Sequence, residues 1–99
     1  MEGIIAGQVV DFDDKEHVVI ISLKIDLKLG DTLRFVYLDI DYTEVVDAIL
    51  LNGNYVENAK VGDKIGIKTF EKILAGAKVY KTYWNYLFYF NNLMILIWE

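Results

Sequence analysis

The feature that most constrains the fold of this chain is the regular spacing of short β-prone runs. Six runs rich in Val, Ile, Phe, Tyr and Thr, each of strand length, are separated by turn signals at intervals of roughly ten residues. They cover residues 4–10, 17–23, 32–37, 43–51, 64–69 and 78–80. A long amphipathic helical pattern is absent. The spacing predicts an all-β domain, either a sandwich or a closed barrel.

Side-chain alternation within the runs predicts which residues form the core. Successive side chains of a strand point to opposite faces, so apolar residues two apart mark a buried face. The predicted inward residues are Leu33, Phe35, Tyr37, Ile65 and Ile67, and the outward face of the fifth run carries Lys64, Gly66 and Lys68. The run 17–23 is apolar on both faces apart from His17 and Ser22, which favours a central strand covered on each side.

The size and composition of the chain limit what it can do. Its 99 residues allow one domain with one core, so any function must lie on the surface of a single unit. The absence of Cys excludes disulfides and thiolate metal sites. The first residues lack the basic and apolar segments of a signal peptide, so we expect a cytoplasmic protein.

Residue types that carry catalysis are scarce. Ser22 and His17 are the only Ser and His, and no motif pairs them as nucleophile and base. Neither common phosphate-binding glycine loop is present. The acidic residues between the first two runs lack the glycine and the distal glutamate of a calcium loop, so a solvated hairpin is expected there. We therefore expect no enzymatic activity, no bound metal and no cofactor.

Basic residues are concentrated in one part of an otherwise acidic chain. The formal net charge is -5, yet residues 59–81 hold six Lys against Asp63 and Glu71. This segment is a candidate binding surface for phosphate groups. The candidate residues are Lys60, Lys64, Lys68, Lys72 and Lys78. The alternative is an ordinary solvated face that protects a sheet edge from aggregation.

The C-terminal segment is strongly apolar and forms a second unit, so we divide the chain into residues 1–81 and an arm of residues 82–99. The arm is too short and contains too many Asn residues for a membrane-spanning helix. Its aromatic and β-branched content favours a hairpin or extended arm, with an amphipathic helix as the alternative. One side would pack on its own domain and the other on a second copy or a partner. The candidate interface residues are Tyr83, Trp84, Tyr86, Phe88, Phe90 and Trp98.

Three turns share a recurring pattern. Residues 27–31 read LKLGD, residues 59–63 read AKVGD and residues 74–77 read LAGA, and a run follows each. Glycine permits the positive φ of a tight turn, and the Asp that follows in the first two can bond back to the loop.

Together with ILLN at residues 49–52 and VENAKVGDKIGI at residues 56–67, these turns resemble the second domain of translational GTPases such as elongation factor Tu. The resemblance covers residues 3–81 and implies a six-stranded Greek-key barrel that contacts ribosomal RNA. Leu50 stands where tRNA-carrying relatives place an acidic residue, so recognition of a charged tRNA end is not implied.

These observations lead to two functional hypotheses. The first is a non-catalytic binding module, associated with translation, whose partner is the ribosome, RNA or a protein. The second is a structural protein that forms homo-oligomers through the aromatic arm. Phosphate contacts weaken steeply with salt and an apolar interface does not, so salt dependence of binding separates the two.

Overall fold

The computed structural model describes residues 3–82, and every regular element among them is a β-strand. The strands are β1 (Gly3–Asp13), β2 (Val18–Leu23), β3 (Leu27–Lys28), β4 (Thr32–Tyr37), β5 (Ile40–Val45), β6 (Ile49–Leu51), β7 (Asn54–Val56), β8 (Asn58–Ala59), β9 (Lys64–Lys68) and β10 (Lys78–Thr82). The all-β prediction is confirmed. Between residues 3 and 82 no helix has the length and hydropathy needed to cross a membrane.

Eight of these strands form one antiparallel sheet in the order β5-β4-β10-β1-β2-β9-β6-β7, and β3 pairs with β8 in a separate two-stranded ribbon. The closed six-stranded Greek-key barrel expected above is not found in the part of the chain that the structure describes. The sheet has eight strands, and its end strands β5 and β7 are not hydrogen-bonded to each other.

One of the two extra strands of the sheet arises because the run 43–51 is divided into β5 and β6, and the other is β7, which lies beyond that run. β5 ends at Val45, and the next residue turns away to exchange hydrogen bonds with the loop before β4, from Val46 N to Asp31 O at 2.8 Å and from Gly30 N to Val46 O at 2.8 Å. β6 then begins at Ile49. Asn52 and Gly53 have φ values of 53° and 81°, which suit a two-residue hairpin turn, and they connect β6 to β7.

The sheet curls around a single apolar core. β1 contains two register shifts, between Ile5 and Gly7 and between Val9 and Asp11, and such bulges bend a strand and increase its twist. β2 lies near the middle of the sheet, as its two apolar faces predict. The predicted inward residues Leu33, Phe35, Ile65 and Ile67 are each at most 1% exposed, and Tyr37 packs against them half-buried.

The three glycine turns have the geometry expected of them. Gly30, Gly62 and Gly76 have φ values of 92°, 94° and 99°. The carboxylates of Asp31 and Asp63 accept hydrogen bonds from the backbone N of Lys28 and Lys60, each at 2.9 Å. The two KxGD turns therefore share one local structure, which makes them a matched pair for mutational comparison.

Candidate binding groove

The five candidate lysines are divided by the fold. Lys60 lies 4.0 Å from Asp26, and Lys72 forms an ion pair with Asp14 at 3.1 Å. Lys64 and Lys68 are exposed at the two ends of β9, and neither forms an ion pair with another residue between 3 and 82. Lys78 of β10 forms no such ion pair either, so the unneutralised positive charge of this set lies on β9 and β10.

Lys78 is brought onto the same outer face by strand pairing. Lys78 of β10 lies opposite Gln8 of β1, and Gln8 lies opposite Ser22 of β2. Ser22 lies opposite Lys64 of β9. Neighbouring strands are about 4.8 Å apart, so Lys78 and Lys64 stand about 14 Å apart across three strand spacings. The structure therefore brings together Lys64, Lys68 and Lys78 on one face and leaves Lys60 and Lys72 in loops.

The outer face of the sheet has a depression at Gly66. Gly66 lies between Ile20 of β2 and Leu50 of β6, and Leu50 lies opposite Tyr55 of β7. A Cβ atom at Gly66 would meet Val18 Cγ1 at 2.8 Å and Leu50 Cβ at 3.5 Å. The absence of a side chain at Gly66 lets Val18 and Leu50 approach β9 closely, and Gly66 forms part of the floor of a trough along β9.

We call this trough the glycine groove. Its volume is about 300 Å³, at the small end of the range for ligand sites. Apolar side chains form its walls, lysines lie at its ends, and the β1–β2 and β6–β7 turns border it. The lining residues are Asp13, Glu16, Val18, Ile20, Leu50, Asn52, Gly53, Tyr55, Lys64, Ile65, Gly66 and Lys68.

The two ends of the glycine groove differ in charge. Asp13 is opposite Val18, and Val18 is opposite Lys68, so the acidic residues Asp13 and Glu16 accompany the Lys68 end. The Lys64 end has no acidic lining residue among residues 3–82. The groove is therefore basic at one end and mixed at the other.

A second pocket of about 320 Å³ adjoins the glycine groove beyond Tyr55 and Lys68. Phe70 lies on its rim with 88% of its surface exposed. The Phe70 backbone N donates to Tyr42 Oη at 3.1 Å, and Tyr42 Oη donates to Glu44. Burial and the bond to Glu44 raise the pKa of Tyr42 to about 12. Tyr42 therefore stays protonated near neutral pH and holds the Phe70 loop against β5.

The residues considered for catalysis are separated. His17 precedes β2 and Ser22 lies near its far end, five residues along an extended strand, or about 17 Å. His17 Nδ1 lies 2.6 Å from the Thr69 carbonyl oxygen instead. Asp13 accepts bonds from the backbone N of Lys15 and Glu16, as in a hairpin turn. Between residues 3 and 82 no three His, Cys, Asp or Glu side chains are grouped to hold a metal.

The candidate interface residues of the arm lie outside the described residues. They are Tyr83, Trp84, Tyr86, Phe88, Phe90 and Trp98. Sequence reasoning placed Gly66 and its flanking lysines on one face but did not identify the groove. The available signal was the pattern KIGIK, in which a glycine replaces a side chain on an exposed strand face.

Comparison with known proteins gives a consistent result. No protein-family model matches the chain. It is 37% identical over 75 residues to the uncharacterized protease MJ0090 of Methanocaldococcus jannaschii, and this alignment covers 75% of the chain and 18% of that protein. The chain thus spans under a fifth of the length of this curated relative.

Two crystal structures of the C-terminal domain of a Geobacillus thermoleovorans U32 peptidase, one of them a selenomethionine variant, superpose with a TM-score of 0.73. Both are 20% identical to the chain. The matches cover 78% and 79% of the chain and 98% and 91% of the two domains.

These matches overturn the resemblance to the second domain of elongation factor Tu, and the prediction of a translation-factor homologue is wrong. The physical reason lies in the turns that carried it. A glycine with positive φ followed by an Asp that accepts a backbone hydrogen bond is a general solution for a tight turn between strands, so it recurs in unrelated β domains. The fold of this chain is that of the U32 peptidase C-terminal domain.

Proposed function

We propose that this chain is a non-catalytic binding domain of the kind found at the C-terminus of U32 peptidases, and that its glycine groove holds a segment of polypeptide. The groove carries the proposal, because it combines apolar walls, two lysines with no ion-pair partner among residues 3–82 and an open trough along a strand. An extended peptide fits such a trough, because every second side chain of an extended chain points to the same side and can face the sheet.

The similarities support the assignment of binding and catalysis to different domains of a longer protein. The matched segment corresponds to 18% of a protein named as a protease, so most of that protein lies outside the part that this chain resembles. The separation of His17 from Ser22 supports the view that this part binds rather than cleaves. Peptidase activity is accordingly proposed to reside in another domain of proteins of this type.

The proposal predicts saturable binding of an unfolded polypeptide without cleavage. Reduced and carboxymethylated casein is a suitable acidic, unfolded probe, with binding measured by calorimetry and cleavage by electrophoresis after prolonged incubation. Tyr55→Ala should weaken binding about tenfold, because an exposed aromatic wall of the groove is lost. Leu38→Ala is the matched control, since Leu38 is also an exposed apolar side chain, at 86% against 69% for Tyr55, but lies in the β4–β5 turn.

Three results would contradict the proposal. One is the release of casein fragments by the purified chain, which would show catalysis. Another is equal binding by the wild type and Tyr55→Ala, which would place the binding surface elsewhere. Tighter binding of a single-stranded RNA than of casein, with steep salt dependence, would also contradict a polypeptide partner.

A further inference from the structure

We infer that the glycine groove selects an extended segment that places an apolar side chain over Gly66 and a carboxylate two residues away, against Lys64. This inference rests on the proposed function and specifies the ligand of the same groove. It follows from the spacing of the groove, its charge and the shape of its walls.

Strand geometry sets the spacing. Lys64, Gly66 and Lys68 are alternate residues of β9 and share its outer face. Alternate residues of a strand are about 6.6 Å apart. A second extended chain lying along the trough has the same repeat, so when its residue i faces Gly66, residue i−2 or i+2 faces Lys64, according to the direction of the bound chain.

The apolar position follows from the walls of the groove. Val18 and Ile20 stand on the β2 side, and Leu50 and Tyr55 stand on the β6–β7 side. Tyr55 is 69% exposed, so its ring is available to cover a bound side chain. Val18 closely covers Gly66, so these two residues form the floor of the groove, and the apolar walls above them accept an apolar side chain of the partner.

The charged position follows from the asymmetry between the two ends. Lys64 has no ion-pair partner among residues 3–82, and its chain neighbour Asp63 is engaged with the backbone N of Lys60. Lys68 shares its end with Asp13 and Glu16, which offset its attraction for an acidic group. A carboxylate is therefore favoured at the Lys64 end, and a neutral or basic side chain is accepted at the Lys68 end.

A charge exchange between groove and peptide tests the inference. Three fluorescent peptides share one background and differ in the core, which reads Asp-Ser-Leu-Ser-Asp, Lys-Ser-Leu-Ser-Lys or Ser-Asp-Leu-Asp-Ser, so that either direction of binding places a charge at the same distance from Leu. Fluorescence anisotropy at low salt gives each affinity. The wild type should bind the first peptide about tenfold more tightly than the second. Lys64 attracts the carboxylate of the first and repels the ammonium group of the second, and each effect is the size of an exposed ion pair. The third peptide should bind more weakly than the first, since its carboxylates are out of register.

The variant Lys64→Glu should invert the preference between the first two peptides. Lys60→Glu is the matched control, since it changes the net charge equally from a loop outside the groove, and it should keep the wild-type order. Thermal melts of both variants confirm that each is folded.

The outcomes separate this inference from the proposed function. Binding of all three peptides with equal affinity, or inversion by Lys60→Glu as well, would overturn the inference while leaving a polypeptide-binding domain in place. A failure to bind both the peptides and casein would overturn the proposed function itself.

Discussion

Replacing Gly7 with alanine is expected to lower the free energy of unfolding by about 3 kcal/mol or more, enough to unfold a marginally stable domain. A Cβ atom at this position would clash with the Ser22 carbonyl oxygen and would lie 3.1 Å from the Ser22 carbonyl carbon and 3.2 Å from Ile21 Cγ2. The first two are backbone atoms of β2, so no side-chain rotation relieves the contact. β1 and β2 would have to separate at the centre of the sheet, where Gly7 also pairs with Val79 of β10.

Urea unfolding followed by far-ultraviolet circular dichroism measures this effect. Gly53→Ala is the control, because no atom lies within 4 Å of its Cβ position and the change costs only the strain of a positive φ of 81°, about 1 kcal/mol. Equal unfolding midpoints for the two variants would show that β1 and β2 adjust to the added methyl group.

Replacing Asp31 with asparagine should lower the free energy of unfolding by about 2–4 kcal/mol. Only 5% of its side-chain surface is exposed, and its carboxylate is 3.1 Å from Lys28 Nζ and 3.2 Å from Lys81 Nζ. Lys81 is itself only 18% exposed, so the loss of the negative charge leaves a largely buried ammonium group with weaker compensation. Asparagine keeps the backbone hydrogen bond from Lys28 but not the charge.

The matched control is Asp63→Asn in the other KxGD turn. Asp63 makes the same backbone bond to Lys60, in an exposed setting, and no ion pair to it is found among residues 3–82. Asp63→Asn should lower the free energy of unfolding by at most about 1 kcal/mol. Chemical unfolding at pH 7 compares the two, and similar losses would show that the buried charges contribute little.

The difference between the wild type and Asp31→Asn should also depend on pH. Burial alone would raise the pKa of Asp31, but hydrogen bonds from Lys28 and Lys81 outweigh it and the pKa is lowered from its ordinary value of 3.8. A carboxyl with a lowered pKa in the folded state stabilises the protein above its ordinary pKa, and this contribution is lost as the pH falls through the lower value. The difference in the free energy of unfolding between the wild type and Asp31→Asn should therefore be fully present at pH 7 and decrease below about pH 4.

Local features of the fold were predictable because local backbone geometry produces them. The positive φ of Gly30 and Gly62, the carboxylate bonds of Asp31 and Asp63, and the buried alternate residues of β4 and β9 each depend on residues within one turn or one strand. The Asn52-Gly53 hairpin had a local signal as well, but the interpretation of residues 43–51 as one strand obscured it.

The sheet order and the groove were not predictable in this way. β1 pairs with β10 some seventy residues away, and the walls of the glycine groove come from β2, β6 and β7. Alternation placed Lys64, Gly66 and Lys68 on one face, whereas only the pairing of distant strands placed Ile20, Leu50 and Tyr55 beside them. The family resemblance was wrong for a related reason. Turn sequences reflect the backbone conformation that a tight turn requires, so proteins of different families share them.

The sequence by itself determined that this protein is all-β, which residues of β4 and β9 face inward, and where the three glycine turns lie, because these follow from φ preferences and the two-residue repeat of a strand. The tertiary structure alone decided that the sheet has eight strands, that Asp31 is buried beside two lysines and that Gly66 forms part of the floor of a groove. Those features depend on contacts between residues far apart in the chain, which no local pattern specifies.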